Sequence, residues 1–271
     1  MRALGALLLL VLLAGCADRA TVGSGPGSSP SASLAADGLA IQVRSSGGMM
    51  PTTARVTALP VVSVYGDGRV ITPAPVPAIY PGPAIEGLQV EHLTPAQVSS
   101  LVDQGLRAGV GSLGDLGQPQ VSDAPSTTFF VAGRTTEVDA LGIGADGTLT
   151  KKQRDARKQL QSLLDMLTGL STKGATPYVP ARVAAVSTPW DASTVGLPQP
   201  PPAVAWPGPQ LPGDKTAAYG CVVAAGAQAA AVVAAAGKAN SQTPWTSAGA
   251  QWRLALRPLL PDESSCADLN Q

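Results

Sequence analysis

Residues 59–72 read LPVVSVYGDGRVIT, two strand-like runs on either side of a Gly66-Asp67-Gly68 tip. Valine, isoleucine and tyrosine suit a pleated, half-buried surface. A Gly-Asp-Gly tip accepts the positive φ of a tight turn. The stretch therefore predicts an antiparallel hairpin. Upstream, Leu39, Ile41 and Val43 alternate with Ala40, Gln42 and Arg44, the period-2 signature of a half-buried strand. Downstream, residues 73–83 (PAPVPAIYPGP) carry five prolines and predict a surface connection.

Leu88–His92 predicts a further strand, followed at once by a helix start. Thr94 is placed as N-cap, Pro95 at the first helical position and Gln97 at N3, a capping box. Val98, Leu101, Val102 and Leu106 recur at helical spacing, and Gly109 can close that helix. Thr127–Val131 and Thr135–Leu141 predict a second hairpin turning at Ala132-Gly133. Thr150 and Gln153 repeat the capping box. Ala156, Leu160, Leu163, Leu164 and Leu167 then form one apolar stripe, with Lys151, Lys152, Arg154, Arg157 and Lys158 assigned to a solvated face. Arg182–Val186 and Trp252–Arg257 predict strands, and the Ala-rich run Ala217–Lys238 predicts a third helix. Hairpins dominate and parallel βαβ repeats are lacking. The expectation is an α+β fold, a mainly antiparallel sheet built from hairpins with about three packed helices.

The N-terminus carries the address. Arg2 precedes an apolar run, Ala3–Leu13, that ends in Leu13-Ala14-Gly15-Cys16. A charged start, a short apolar stretch and a small-residue exit have the layout of a secretory signal. About eleven apolar residues fall short of the roughly 20 that cross a bilayer. The tetrapeptide resembles the lipobox of bacterial lipoproteins, which implies cleavage before Cys16 and thioether lipidation of its sulfur, with acylation of the new amino group. More than one acyl chain makes such attachment stable. Residues 16–37 then form a Gly/Ser/Pro tether with little to bury, reaching about 25 Å as a random coil. The expected organisation is 1–15 signal, 16–37 lipidated Cys16 and tether, and 38–271 a single extracytoplasmic domain.

Composition narrows the function classes. Eighteen Lys+Arg balance 18 Asp+Glu, which argues against nucleic acid and gives no electrostatic reason to adhere to anionic lipid. Aromatics are only 4%, so the core must be aliphatic. With Cys16 lipidated, Cys221 and Cys266 remain, and outside the cytoplasm two spare cysteines are most simply paired.

Chemistry is harder to find. His92 is the single histidine and shares a strand face with Leu88 and Val90, where a core-edge position held by a backbone carbonyl is expected. Around Ser112 the chain reads Val110-Gly111-Ser112-Leu113-Gly114, which lacks the first glycine of a G-x-S-x-G elbow. Gly142–Gly147 spells G-x-G-x-x-G. The following helix starts at a separate Thr150 cap, however, so a turn is expected rather than a dinucleotide site. Nothing has metal-ligand spacing, and no cofactor is expected. Trp206 stands among the prolines of Pro198–Pro212, where an exposed indole in a rigid frame would suit a protein or glycan contact. His92 and Trp206 are thus the candidate binding residues.

Val64–Val70, the Leu93-Thr94-Pro95 helix start and Asp123–Thr128 with its following strand occur in that order. This pattern resembles a family of uncharacterised secreted proteins and lipoproteins of high-GC Gram-positive bacteria, over roughly residues 39–270. The resemblance implies a fold and a compartment but no catalytic residues. The expected function is a lipid-anchored, non-catalytic binding module on the outer face of the cytoplasmic membrane, with an envelope protein or glycan as partner. An envelope hydrolase acting on peptidoglycan or glycolipid, and a lipid or glycolipid carrier, are the alternatives.

Overall fold

Seven strands from the first part of the chain make one sheet, and six from the last part make another. They belong to a computed structural model that describes residues 38–270 except 145, 172, 173, 195, 196 and 217. The signal 1–15, Cys16 and the tether to residue 37 lie outside the described residues. The first sheet holds β1 (Leu39–Gly47), β2 (Val62–Tyr65), β3 (Arg69–Pro73), β4 (Leu88–His92), β5 (Pro125–Val131), β6 (Arg134–Asp139) and β7 (Thr176–Pro177). The second holds β8 (Arg182–Pro189), β9 (Val204–Ala205), β10 (Asp214–Lys215), β11 (Gly220–Ala225), β12 (Trp245–Ser247) and β13 (Ala250–Pro258). Their spatial orders are β6-β5-β1-β2-β3-β4-β7 and β10-β11-β8-β13-β12-β9. All pairings are antiparallel but β9–β12. The fold is α+β.

Both predicted hairpins form. β2 and β3 pair Val64 with Val70 around the Gly-Asp-Gly tip. A Cβ on Gly68 would meet the Leu93 carbonyl oxygen at 2.1 Å, so only glycine fits there. β5 and β6 turn at Ala132 (φ 46°) and Gly133 (φ 80°), the paired positive φ of a two-residue hairpin loop. β1 lies between β2 and β5, and residues 40–43 are buried on both strand faces rather than one. Gln42 is buried with them because its amide donates to Ser63 Oγ at 3.0 Å.

Among the described residues four α-helices accompany the sheets: α1 (Thr52–Val56), α2 (Pro95–Arg107), α3 (Lys151–Thr168) and α4 (Ala227–Ala236). Both capping boxes are present, Thr94 with Gln97 and Thr150 with Gln153. Val98 and Leu101 of α2 join Leu160, Leu163 and Leu167 of α3 in a core over Ile41, Val43, Val62, Val64 and Phe129. Arg157 departs from its predicted solvated face. It is 6% exposed and donates to three main-chain carbonyls, Leu116 O (3.4 Å), Asp139 O (2.5 Å) and Ala140 O (2.9 Å).

The Ala-rich run is not one helix. Gly220–Ala225 forms β11 against β8, and only Ala227–Ala236 is helical. Val222 and Val223 favour a strand. Gly226 breaks the run at φ 55°, ψ −125°, backbone that glycine supplies without steric cost. α4 then packs Ala229, Val232 and Ala236 on Val183, Ala185, Ala224, Leu254 and Leu256.

The remaining sheet faces are joined through the C-terminal segment and α1. Tyr65, Ile71 and Leu88 of the first sheet pack with Leu260, while Ala184 and Val186 of the second pack with Val56, Leu259 and Leu269. The layers therefore run helices, sheet, sheet, helix, with α1 and the C-terminal tail at the junction.

Candidate functional site

A cleft of about 620 Å³ opens at this junction. Its floor is one face of β8 and β13. Side chains alternate along a strand, so Arg253, Ala255 and Arg257 share that face, opposite Thr188, Val186 and Ala184 in register. One wall is α1 with its C-cap, where Thr53, Ala54 and Thr57 line the cleft while Val56 fastens the turn to the core below. The other wall comes from the proline-rich loop. Ala74 N donates to Gly87 O at 2.9 Å, closing the loop's neck. Ser241 N donates to Gly82 O at 2.9 Å, and bridges join Pro83 to Asn240 and Ile85 to Leu256. The loop is thereby pinned to the second sheet, and Pro83, Ala84 and Glu86 reach the cleft.

Polar groups cross from sheet to sheet behind this cleft. Arg257 is 1% exposed, and its Nη2 donates to Glu263 Oε1 at 2.7 Å. Glu263 is itself 3% exposed; its Oε2 accepts from Leu260 N at 2.9 Å, and its Oε1 also lies 3.4 Å from Arg44 Nη2. Arg44 Nε donates to Gln42 Oε1 at 2.5 Å. Beside them Tyr65 OH donates to Asp262 Oδ1 at 2.5 Å, and Tyr178 OH to Leu259 O at 3.3 Å. Burial raises the Tyr65 hydroxyl far above the ordinary phenol range, and the hydrogen bond to Asp262 raises it further. Burial also raises Tyr178, against the opposing pull of Arg69. Arg253 Nη2 lies 3.4 Å from Gln242 Oε1 at the cleft's other end. Arg257 Nε and Nη1 are buried without a hydrogen-bond partner.

The residues singled out in the sequence fall elsewhere. His92 ends β4, paired across the ladder with Arg69, and is exposed rather than held at a core edge. Alternation places it on the face of Leu88 and Val90, but the strand stops there and the residue is exposed. It does not line the cleft. Trp206 is not an exposed contact either. It is 9% exposed, packs edge-on against Trp245 with centroids 5.6 Å apart, and donates from Nε1 to Pro209 O at 2.7 Å. The proline-rich excursion hides a short strand, β9, whose pairing with β12 turns the indole inward. Cys221 and Cys266 are joined, with Cα atoms 6.2 Å apart. The bond ties β11, not the start of a helix, to the C-terminal tail. Among the described residues no group of three or more His, Cys, Asp or Glu is placed to hold a metal, and no helix is long and apolar enough to cross a membrane.

Arg253 and Arg257 are the site residues that sequence reasoning missed. Their signal was present as Arg253-x-Ala255-x-Arg257 alternating with Trp252, Leu254 and Leu256. That pattern ordinarily marks a solvated strand face, and only the second layer turns it into a cleft floor.

Fold and site together define an α+β domain of two facing sheets with an arginine-floored, amphipathic cleft between them. No family model, curated protein or solved structure matches this chain.

Proposed function

We propose that the chain is a lipid-anchored binding module of the cell envelope. Cys16 holds it at the outer face of the cytoplasmic membrane, residues 16–37 serve as its tether, and the cleft is its receptor surface. Membership of the lipoprotein family that the Val64–Val70 hairpin resembles is part of this proposal. One observation carries the reading: a lipobox-like Leu13-Ala14-Gly15-Cys16 precedes a domain whose other two cysteines form a disulfide, a bond that persists in oxidising compartments. The cleft supports the binding role. Its volume lies in the range of about 300–1,000 Å³ typical of small-molecule sites, and its lining mixes aliphatic side chains with hydroxyls and two arginines.

The cleft also favours the carrier alternative, in which the bound molecule is a lipid or glycolipid. The hydrolase alternative has no comparable support, since His92 stands apart from the cleft. Cys16→Ser, followed by membrane fractionation and labelling with a fatty-acid analogue, tests the anchor. The protein is expected to leave the membrane fraction or persist as an uncleaved precursor, with labelling lost. Unchanged fractionation and labelling would contradict the proposal.

A further inference from the structure

Two arginines are buried among the described residues, and the fold treats them differently. Arg157 meets three main-chain carbonyls brought by the end of β6, the residue after it and the connection between α2 and β5. Its position is accounted for by structure alone. Arg257 meets one acceptor, Glu263, and that carboxylate also serves Arg44. Two of the Arg257 nitrogens, Nε and Nη1, have no partner although the residue is 1% exposed. Buried cationic donors are costly unless an acceptor, best an anionic one, reaches them. Arg257 belongs to the cleft lining, and at 1% exposure what the cleft reaches of it lies at the bottom rather than at the mouth.

The surroundings specify what could supply that acceptor. Ala54, Leu59, Pro83, Ala84 and Ala255 give the cleft an aliphatic lining. Arg253 adds a second positive charge to the floor, while Glu86 places its carboxylate at the exposed rim. A fully polar anion would leave the aliphatic surface unused, and a neutral lipid would leave Arg257 unpaired. We propose that the cleft binds a small amphiphilic anion, with a carboxylate or phosphate head on Arg257 and a hydrocarbon portion along the Ala, Pro and Leu wall. This rests on the binding-module reading above, and names the ligand class of that cleft.

The test uses the full lipidated chain in lipid nanodiscs, with empty nanodiscs as blank, titrated calorimetrically with octanoate, octyl phosphate and 1-octanol. At least one of the two anions is expected to bind, and the alcohol, which lacks the charge, is expected not to. Octanoate alone would assign the head as a carboxylate, and octyl phosphate alone as a phosphate. Arg257→Gln should weaken binding by about tenfold or more, as for loss of a charge-assisted hydrogen bond. Because that change leaves Glu263 buried without its partner, Ala54→Phe provides a second variant that fills the cleft and keeps the Arg257–Glu263 pair; it should abolish binding. No binding of either anion, equal binding of the alcohol, or undiminished binding by Ala54→Phe would overturn the proposal. None of these results alters the outcome for Cys16→Ser, so failure here and failure of the anchor are read separately.

Discussion

The first sheet is held by long leucine-bearing helices, and the second by small residues and a cross-link. α3 presents Leu160, Leu163 and Leu167 to its sheet, all buried, and each such side chain contributes roughly 1.5–3 kcal/mol on burial. α4 presents Ala229, Val232 and Ala236, which remove far less apolar area from water. The second sheet makes up part of the difference with the Trp206–Trp245 pair and the Cys221–Cys266 bond. Its other face is shared between the C-terminal tail, which covers Ala184, and the cleft, which reaches Thr188, Arg253 and Ala255. One half is scaffold by virtue of bulk. The other gives up bulk where it carries the candidate site.

The largest effect that should separate the halves is loss of the disulfide. The bond spans 45 residues, and the chain-entropy model assigns a loop of that size about 4 kcal/mol. Reduction should lower the thermal midpoint by more than about 5 °C, read by calorimetry of oxidised and reduced protein. A smaller shift would mean that α4 packs better than its composition suggests.

Next comes overpacking of α4. Ala229 is fully buried, so Ala229→Leu should destabilise by about 1–3 kcal/mol, measured by chemical denaturation. A gain in stability would show slack packing and break the comparison. Caps give a smaller effect: Thr150→Ala removes the acceptor for Gln153 N and should cost about 1 kcal/mol, through the first sheet's core.

The smallest expected effect is on the junction the halves share. Tyr65 and Tyr178 hold their protons more tightly in the folded chain than in the unfolded one. Their contribution is complete below about pH 10, the unfolded phenol value, and is lost as pH rises through the raised folded values. Denaturation midpoints should therefore fall between pH 9 and pH 11, and Tyr65→Phe should flatten that slope. An unchanged slope would remove Tyr65 from the account.

Much of the first sheet was legible because its signals are local. A Gly-Asp-Gly tip, two Thr-x-x-Gln caps and a leucine stripe each decide their own structure within a few residues. The disulfide was legible from the expected compartment and the cysteine count. Arg157 was misread because a basic residue beside Lys158 looks solvated until the carbonyls of Leu116, Asp139 and Ala140 close around it. Trp206 was misread because its pairing partner, β12, lies about forty residues on. The Ala-rich run was misread because alanine's helix propensity is offset by Gly226 and by the open edge that β8 offers. Arg257 shows the same limit most clearly. Its strand was predicted, but its burial depends on Glu263, Arg44 and α1, which pairing between the layers alone brings together.

The claim that Arg157 is structural while Arg257 awaits a ligand can be read at the two guanidinium groups themselves. Nitrogen-15 NMR of the arginine Nε–H signals, on the full chain in nanodiscs with and without saturating octanoate and octyl phosphate, reports both at once. The account predicts that the Arg257 signal moves with at least one anion while the Arg157 signal stays in place. An Arg257 signal that stays fixed with both, or an Arg157 signal that moves equally, would contradict it.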